Sequence, residues 1–166
     1  MTSAPNYSIA QHIALKRVGA LAASPWADAA VADYLGRFPA DFEVRLVEVK
    51  AESRSGQTVA RALAAEAQRL HAAITQGTLV VALDERGADW TTTQLAEHLR
   101  GWRDAAERVA FVIGGPDGLD ADFKRAARLR IRLSSLTLPH SLARVLLAEQ
   151  LYRAWSILAH HPYHRA

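Results

Sequence analysis

Gly114-Gly115-Pro116-Asp117-Gly118 is one of the two most specific patterns in this chain. It follows the apolar run Val109–Ile113, which has the length and composition of a parallel strand buried on both faces. Two glycines directly after such a strand let backbone approach a ligand closely. Gly-Pro steps also mark ordinary turns, so a purely structural connection from strand to helix stays open. The spacing is not G-x-G-x-x-G and Pro116 lacks an N–H, so a dinucleotide site is not expected.

A second segment runs from Leu136-Thr137-Leu138-Pro139-His140 to Tyr163-His164-Arg165. Its pattern predicts a short extended stretch, a long helix over 141–159 and a polar tail. The helix is apolar on more than one face, which is typical of a helix central to its own domain or of one that packs on a second subunit. The apolar pattern alone leaves these two arrangements open. The apolar residues are Leu142, Val145, Leu146, Leu147, Leu151, Trp155 and Leu158.

Strands and helices alternate along the rest of the chain. The patterns predict strands over 41–49 and 79–83, with a helix over 57–76 between them. Thr91-Thr92-Thr93-Gln94 fits a capping box at the start of another helix, and Ser24-Pro25 fits the start of an earlier one. Such units predict one α/β domain over residues 9–166, with a mostly parallel sheet and helices on both faces. Residues 1–8 are polar and predict a disordered extension.

Composition limits the classes of protein that need to be considered. A chain of 166 residues suits one domain, and the absence of cysteine excludes disulfide and thiolate chemistry and fits a cytoplasmic location. No stretch approaches the ~18 apolar residues of a membrane span, so no membrane partner is expected. The net charge is +3, but residues 120–166 hold eight Lys or Arg and only three Asp or Glu. The positive charge therefore lies in the part of the chain that carries both motifs.

Together, the glycine turn (residues 114–118) and the C-terminal segment (residues 136–165) resemble the bacterial 23S rRNA pseudouridine N3-methyltransferase family. These are the H-type large-subunit rRNA methyltransferases of the SPOUT superfamily. The similarity extends from about Val18 to Arg165. It implies a C-terminal trefoil knot, a homodimer and S-adenosylmethionine (SAM, S-adenosyl-L-methionine) as cofactor. One departure concerns the first strand, where Lys16 and Arg17 interrupt the aliphatic run of the family and leave the register open.

The resemblance also implies where the cofactor binds. The glycine turn and segment 134–139 would form two walls of one cleft, in which leucines sandwich an adenine while backbone groups bind its edge. Without the family, Leu136 and Leu138 would be assigned to the core. The implied cofactor-binding residues are Leu83, Gly114, Gly115, Ser134, Ser135, Leu136, Thr137, Leu138 and Pro139.

The terminal Tyr163, His164 and Arg165 match the end of the family and are implied to form the catalytic, substrate-facing side of the site, against 23S rRNA within the ribosome. Histidine accepts protons near neutral pH, so His164 is the candidate base for the N3 proton, although water could also take it. Tyr163 could stack on the base, and Arg165 could hold a phosphate or a base oxygen.

Basic residues upstream of the tail supply candidate RNA contacts. Arg144 and Arg153 are predicted to line the groove in which RNA docks, although Arg153 with Glu149 could equally be a solvated helical pair. Lys124 and Arg125 begin a cluster that could bind phosphate or could be a solvated face. The remaining members of that cluster are Arg128, Arg130 and Arg132.

No metal is expected, and two alternative functions remain. His160, His161 and His164 could suggest a metal site, but Pro162 breaks the helical register and no carboxylate lies close by in sequence. The first alternative is a catalytically silent RNA-binding or ribosome-assembly module. The second is a SPOUT methyltransferase that acts on tRNA. Binding of SAM distinguishes the silent module, which need not retain the cleft.

Overall fold

A computed structural model describes residues 11–18 and 24–165 of the protein. Within these ranges the strands are β1 (Gln11–Val18), β2 (Phe42–Val49), β3 (Leu79–Asp89), β4 (Val109–Ile113) and β5 (Leu129–Arg132). The helices are α1 (Pro25–Leu35), α2 (Val59–Ala73), α3 (Thr92–Asp104), α4 (Ala121–Ala126) and α5 (His140–Leu158). None of these described helices is long and apolar enough to cross a membrane. The predicted disordered extension, residues 1–8, lies outside the described residues.

The strands form one parallel sheet in the order β2-β1-β4-β3-β5. The register of β1, which the sequence left open, is defined by both neighbours: Ile13 lies opposite Val44 of β2 and Val109 of β4. Lys16 and Arg17 therefore lie within a paired strand rather than ending it.

Helices cover both faces of the sheet. Side chains along β4 accordingly alternate between two hydrophobic cores, one on each face. Phe111 packs in one core with residues of α3 and α5, such as Leu99 and Leu147. Val112 packs in the other core, with residues of α2 and α4 that include Phe123. The predicted mostly parallel α/β sheet with helices on both faces is confirmed.

Local chemistry explains where the elements begin and end. The predicted capping box is confirmed, since the N–H of Gln94 donates to Thr91 Oγ1 (3.1 Å) and the N–H of Thr91 donates to Gln94 Oε1 (2.9 Å). Helix α2 begins at Val59, later than predicted, because Thr58 is its N-cap and accepts from the N–H of Arg61 (3.3 Å). It ends before the predicted position because Ile74 is extended.

Strand β3 is longer than the predicted 79–83, because it resumes pairing with β5 after an irregularity. The register shifts between Leu83 and Ala88, and the polar residues between them hide the continuation from a hydrophobicity pattern. Gly87 lies so close to β5 that a Cβ there would be 2.5 Å from the backbone of Ile131. Strand β5 itself has no apolar run, because arginines alternate with Leu129 and Ile131.

Candidate functional site

A cleft of about 730 Å³ opens at one edge of the sheet, where β4 and β5 end and β3 has its irregularity. Carboxyl ends of parallel strands are where α/β folds usually bind ligands. Two segments that follow these strands, 114–119 after β4 and 133–139 after β5, supply most of the lining. The lining residues predicted from sequence are Leu83, Gly114, Gly115, Ser134, Leu136, Thr137, Leu138 and Pro139. Ser135 is exposed and is not among the lining residues.

The glycine turn forms the first wall. The N–H of Gly118 donates to the carbonyl oxygen of Gly115 (2.9 Å), and these residues also form an isolated antiparallel bridge. Gly118 has a φ of 80°, which favours glycine. A Cβ at Gly114 would lie 2.4 Å from the carbonyl carbon of Gly118, so the turn can close this tightly only with glycine there. Backbone therefore forms much of this wall.

Segment 134–139 forms the second wall and continues directly into α5. Leu136 is 75% exposed, although its residue type alone would suggest the core. Its backbone N–H donates to Ser134 Oγ (2.9 Å), which shapes the segment, and Pro139 is the N-cap of α5. An exposed leucine at the edge of a concave site is a candidate ligand contact rather than a core residue.

Charged and polar groups that the sequence analysis did not assign also line the cleft. Asp84 and Glu85 lie at the irregularity of β3, and His140 is the first residue of α5. Lys124, predicted to contact RNA, lies inside the cleft, with Nζ 3.7 Å from Asp84 Oδ2. The position of Asp84 and Glu85 directly after the apolar run 79–83 was a usable signal for these two residues.

The terminal tail does not line this cleft within the described part of the chain; it packs on α1 and α5 instead. The hydroxyl of Tyr163 lies 3.1 Å from Glu149 Oε1 and 3.4 Å from the hydroxyl of Tyr34. The guanidinium of Arg153 lies 5.0 Å from the centre of the Tyr163 ring. Burial, with the hydrogen bond to Tyr34 and the charge of Glu149, raises the pKa of the Tyr163 phenol, so it stays protonated.

His164 and Arg165 follow this anchored tyrosine. His164 is partly buried, and its Nδ1 atom is buried without a hydrogen-bond partner in the part of the chain that the structure describes. Arg165 is exposed. The three tail residues are thus brought together with one another but not with the cleft of their own chain.

The basic residues predicted to contact RNA fall into different environments. Arg153 pairs with Glu149 at 2.6 Å, as expected from their spacing, and remains partly exposed. Arg125 is exposed and pairs with Asp122. Arg132 lines the cleft and pairs with Asp89. Arg128 and Arg130 are exposed, as a phosphate-binding surface requires.

The position of Arg144 contradicts its predicted role in the groove that binds RNA. Its side chain is only 3% exposed and forms an ion pair with Asp28 of α1. This ion pair joins α5 to α1; the guanidinium is buried, whereas the Asp28 side chain is 51% exposed. The prediction for Arg144 is wrong for this reason: its spacing on the helix did not reveal which neighbour would bury it.

Residues 24–165 contain no group of three or more His, Cys, Asp or Glu side chains that could hold a metal ion. His160 and His161 are both exposed, and His160 has a φ of 52°, which ends α5 and turns the tail back toward the helix.

Comparison with known proteins identifies the class. Residues 12–164 match the family model described as Predicted SPOUT methyltransferase. Ribosomal RNA large subunit methyltransferase H of Polaromonas naphthalenivorans is 58% identical over 140 residues, which are 84% of this chain and 90% of that protein. The chain therefore belongs to the SPOUT methyltransferase family, and its relatives include proteins named ribosomal RNA large subunit methyltransferase H.

Solved structures share the fold at low sequence identity. A probable methyltransferase from Bordetella pertussis has a TM-score of 0.54 at 19% identity, with 89% of this chain and 95% of that chain covered. A candidate methyltransferase from Legionella pneumophila, solved in complex with the bound cofactor SAM, has a TM-score of 0.51 at 12% identity, with 88% and 67% covered. At these identities the similarity is one of fold.

Proposed function

We propose that the protein is a SAM-dependent methyltransferase that methylates N3 of a pseudouridine in 23S rRNA of the assembled ribosome, in the bacterial cytoplasm. The observation that carries this proposal is the joining of the glycine turn and segment 134–139 into one cleft, in a chain 58% identical to a large-subunit rRNA methyltransferase. The name of that relative favours rRNA over tRNA as substrate. A silent binding module would have no need for the cleft.

The cleft fits SAM in size and chemistry. A volume of about 730 Å³ lies within the ~300–1,000 Å³ typical of small-molecule sites. Leu83, Leu136 and Leu138 supply apolar surface for an adenine, and the backbone of Gly114 and Gly115 supplies polar groups for its edge. Ser134, Thr137 and Pro139 line the second wall of the same site, and Ser135 lies in the same segment outside the lining. A C-terminal trefoil knot, in which this wall passes beside the glycine turn, belongs to the proposal.

The proposed enzyme is a homodimer. Leu142, Val145 and Leu146 form a stripe on α5 that is only partly buried, and Trp26 on α1 is 56% exposed. Apolar surface of this kind is what a second copy of the chain would cover. The tail gives an independent reason, because Tyr163, His164 and Arg165 pack away from the cleft of their own chain. In the dimer, the tail of one subunit would close the cleft of its partner.

Methyl transfer from SAM mainly requires the correct positioning of the base and the methyl group. SAM, when bound, supplies a methyl group on a sulfonium that is already activated for transfer. The residues of the chain then have three tasks: to orient the base in line, to exclude water and to accept the N3 proton. His164 is proposed as the acceptor, Tyr163 as the support for the base, and Arg165 as the contact to a phosphate or base oxygen.

RNA contacts outside the reacting atoms are proposed for the exposed basic residues. Arg125 lies on α4, close in sequence to Lys124, whose side chain is at the cleft. Arg153 lies beside the tail. Contacts to phosphate position RNA without reading its sequence, and their contribution falls as salt rises.

The test is methylation of purified ribosomes. Ribosomes from a strain that lacks the gene should accept methyl groups from labelled SAM, and mass mapping of the 23S rRNA should then locate one new methyl group on a pseudouridine. Free tRNA from the same strain is the control substrate. Methylation of tRNA but not of ribosomes, or no transfer with a protein that binds SAM, would contradict the proposed function.

A further inference from the structure

A buried carboxylate outside the cleft is the centre of a network that reaches the glycine turn. Glu66 of α2 is 2% exposed, and its Oε1 atom accepts from the backbone N–H of Glu52 (2.9 Å) and from Arg54 Nη1 (2.8 Å). A buried carboxylate is stable only when it is paired and hydrogen-bonded, so Glu66 holds Arg54 in place.

Arg54 connects two separate segments through its Nη1 and Nε atoms. Its Nη1 atom also donates to the carbonyl oxygen of Glu52 (2.9 Å), which fixes the loop between β2 and α2. Its Nε atom donates to Asp117 Oδ2 (2.7 Å), and Asp117 lies inside the glycine turn that lines the cleft. One guanidinium therefore ties the buried carboxylate, its own loop and the glycine turn together.

The glycine turn has few other means of holding its shape. Pro116 has no N–H to donate, and the turn is closed by a backbone hydrogen bond from the N–H of Gly118 to the carbonyl oxygen of Gly115. Fixing a glycine costs more conformational entropy than fixing any other residue. An ion pair from Asp117 to an arginine that is itself anchored on a buried carboxylate would offset part of that cost before a ligand arrives.

We propose that Arg54 is a positioning residue, which acts through Asp117 to preorganise the glycine turn for cofactor binding. The inference rests on the proposed function of the cleft. Preorganisation raises affinity because less ordering remains to be done when the ligand binds. Arg54 itself is outside the lining of the cleft, so its effect on the cofactor passes through the turn.

Arginine is required for this arrangement because its planar group carries several donors in fixed directions. A lysine ammonium at the same position could keep the charge beside Glu66 but could not also reach Asp117 and the carbonyl of Glu52. Arg54→Lys should therefore leave the buried pair intact and release the turn. Asp117→Asn should weaken the same link from its other end, on the surface of the protein.

The matched control is Arg69→Lys. Arg69 lies on α2, pairs with Glu52 of the loop that holds Arg54, and donates to the carbonyl oxygen of Lys50 (3.0 Å); these described contacts hold the loop without reaching the glycine turn. A general loosening of the loop would affect this variant as well. An effect specific to the turn would not.

The experiment measures SAM affinity by calorimetry and amide hydrogen exchange at Gly118 in the ligand-free protein. Arg54→Lys and Asp117→Asn should each weaken SAM binding by about 5- to 20-fold, and the double variant should be no weaker than either, because both changes break one link. The Gly118 amide should exchange faster in these variants. Arg69→Lys should match the native protein in both measurements.

Three results would overturn the proposal: unchanged SAM affinity in folded Arg54→Lys and Asp117→Asn, additive losses in the double variant, or an equal loss in Arg69→Lys. Failure of the proposed function looks different, since the native protein itself would then bind no SAM. In that case amide exchange at Gly118 still decides whether Arg54 orders the turn.

Discussion

The cleft and the tail differ in how much of the site a single chain completes. Both walls of the cleft, the glycine turn and segment 134–139, come from one chain and follow β4 and β5, which lie on either side of β3. The tail instead anchors Tyr163 on Glu149 and Tyr34 of its own α5 and α1, away from that cleft. Cofactor binding should therefore be a property of each subunit, whereas methyl transfer should need the dimer.

The largest effect is expected at the cofactor wall. Gly115→Trp should fill the cleft and weaken SAM binding by more than about 100-fold, with loss of all methyl transfer. Because Gly115 is buried, Leu136→Glu serves as a second variant: this side chain is 75% exposed, so the change should not affect folding. Calorimetry on both proteins, with circular dichroism to show that they are folded, tests the wall. Native affinity in both would remove this cleft from the cofactor site.

Removal of the tail should separate the two regions. A chain ending at Pro162 should keep SAM affinity within about 2-fold of native, because no tail residue lines the cleft, while single-turnover methylation of ribosomes should fall by roughly 10³-fold or more. Parallel calorimetry and transfer assays measure the two quantities on one preparation. Full activity of the shortened chain would exclude the tail from the site.

His164→Ala tests whether the tail acts as a base or only by position. A histidine that acts as the base accepts the N3 proton only in its neutral form. The variant should be roughly 10² to 10⁴ slower, and its rate should depend on pH differently from the native rate. Single-turnover methylation across pH gives both results. If the pH profile of the rate is unchanged in the variant, water accepts the N3 proton and His164 only positions the substrate.

The smallest effect is expected from Tyr163→Phe, which removes one hydroxyl and keeps the ring. The lost hydrogen bond to Glu149 should cost about 0.5 to 1.5 kcal/mol, which lowers the melting temperature by a few degrees in a domain of this size. SAM affinity should not change. The control variant is Tyr34→Phe. Tyr34 lies on α1 and contacts the same Tyr163 hydroxyl, so this change leaves the hydrogen bond from Tyr163 to Glu149 in place. A melting temperature equal to native would mean that this anchor does not hold the tail.

Much of the fold could be predicted because hydrophobic patterns report buried strands directly. The run Val109–Ile113 and the capping box at Thr91 are local signals, and both are confirmed. Strand β5 and the second half of β3 escaped prediction, since their pairing depends on tertiary contacts between polar residues such as Asp89 and Arg132. Local patterns cannot report a partner that is distant in sequence.

The candidate site was less predictable from local sequence patterns than the fold. Segment 134–139 was placed at the cleft only by family resemblance, because the leucine pattern alone suggests core, whereas Leu136 is exposed. Arg144 shows the converse, since a basic residue on an apolar helix suggested a ligand contact but is buried against Asp28. The anchoring of Glu66 and Arg54 to the glycine turn spans 63 residues of sequence from Arg54 to Asp117 and left no local trace.

Light scattering on the native protein tests the dimer itself. The measured mass at micromolar concentration should be about twice the 18.2 kDa of one chain, because the partly buried stripe on α5 would otherwise face solvent. A mass equal to one chain would remove the partner subunit from the site.

Mixed dimers test the central claim, that the tail of one subunit completes the cleft of the other. Gly115→Trp keeps its tail but lacks a working cleft, and the chain ending at Pro162 keeps its cleft but lacks a tail, so each should be inactive alone. After the two are unfolded and refolded together, half of the dimers should contain one of each and one complete site. Methylation of ribosomes should then return to roughly a quarter of the native rate. A mixture that contains mixed dimers and stays inactive would show that cleft and tail must belong to the same chain, and would contradict the account.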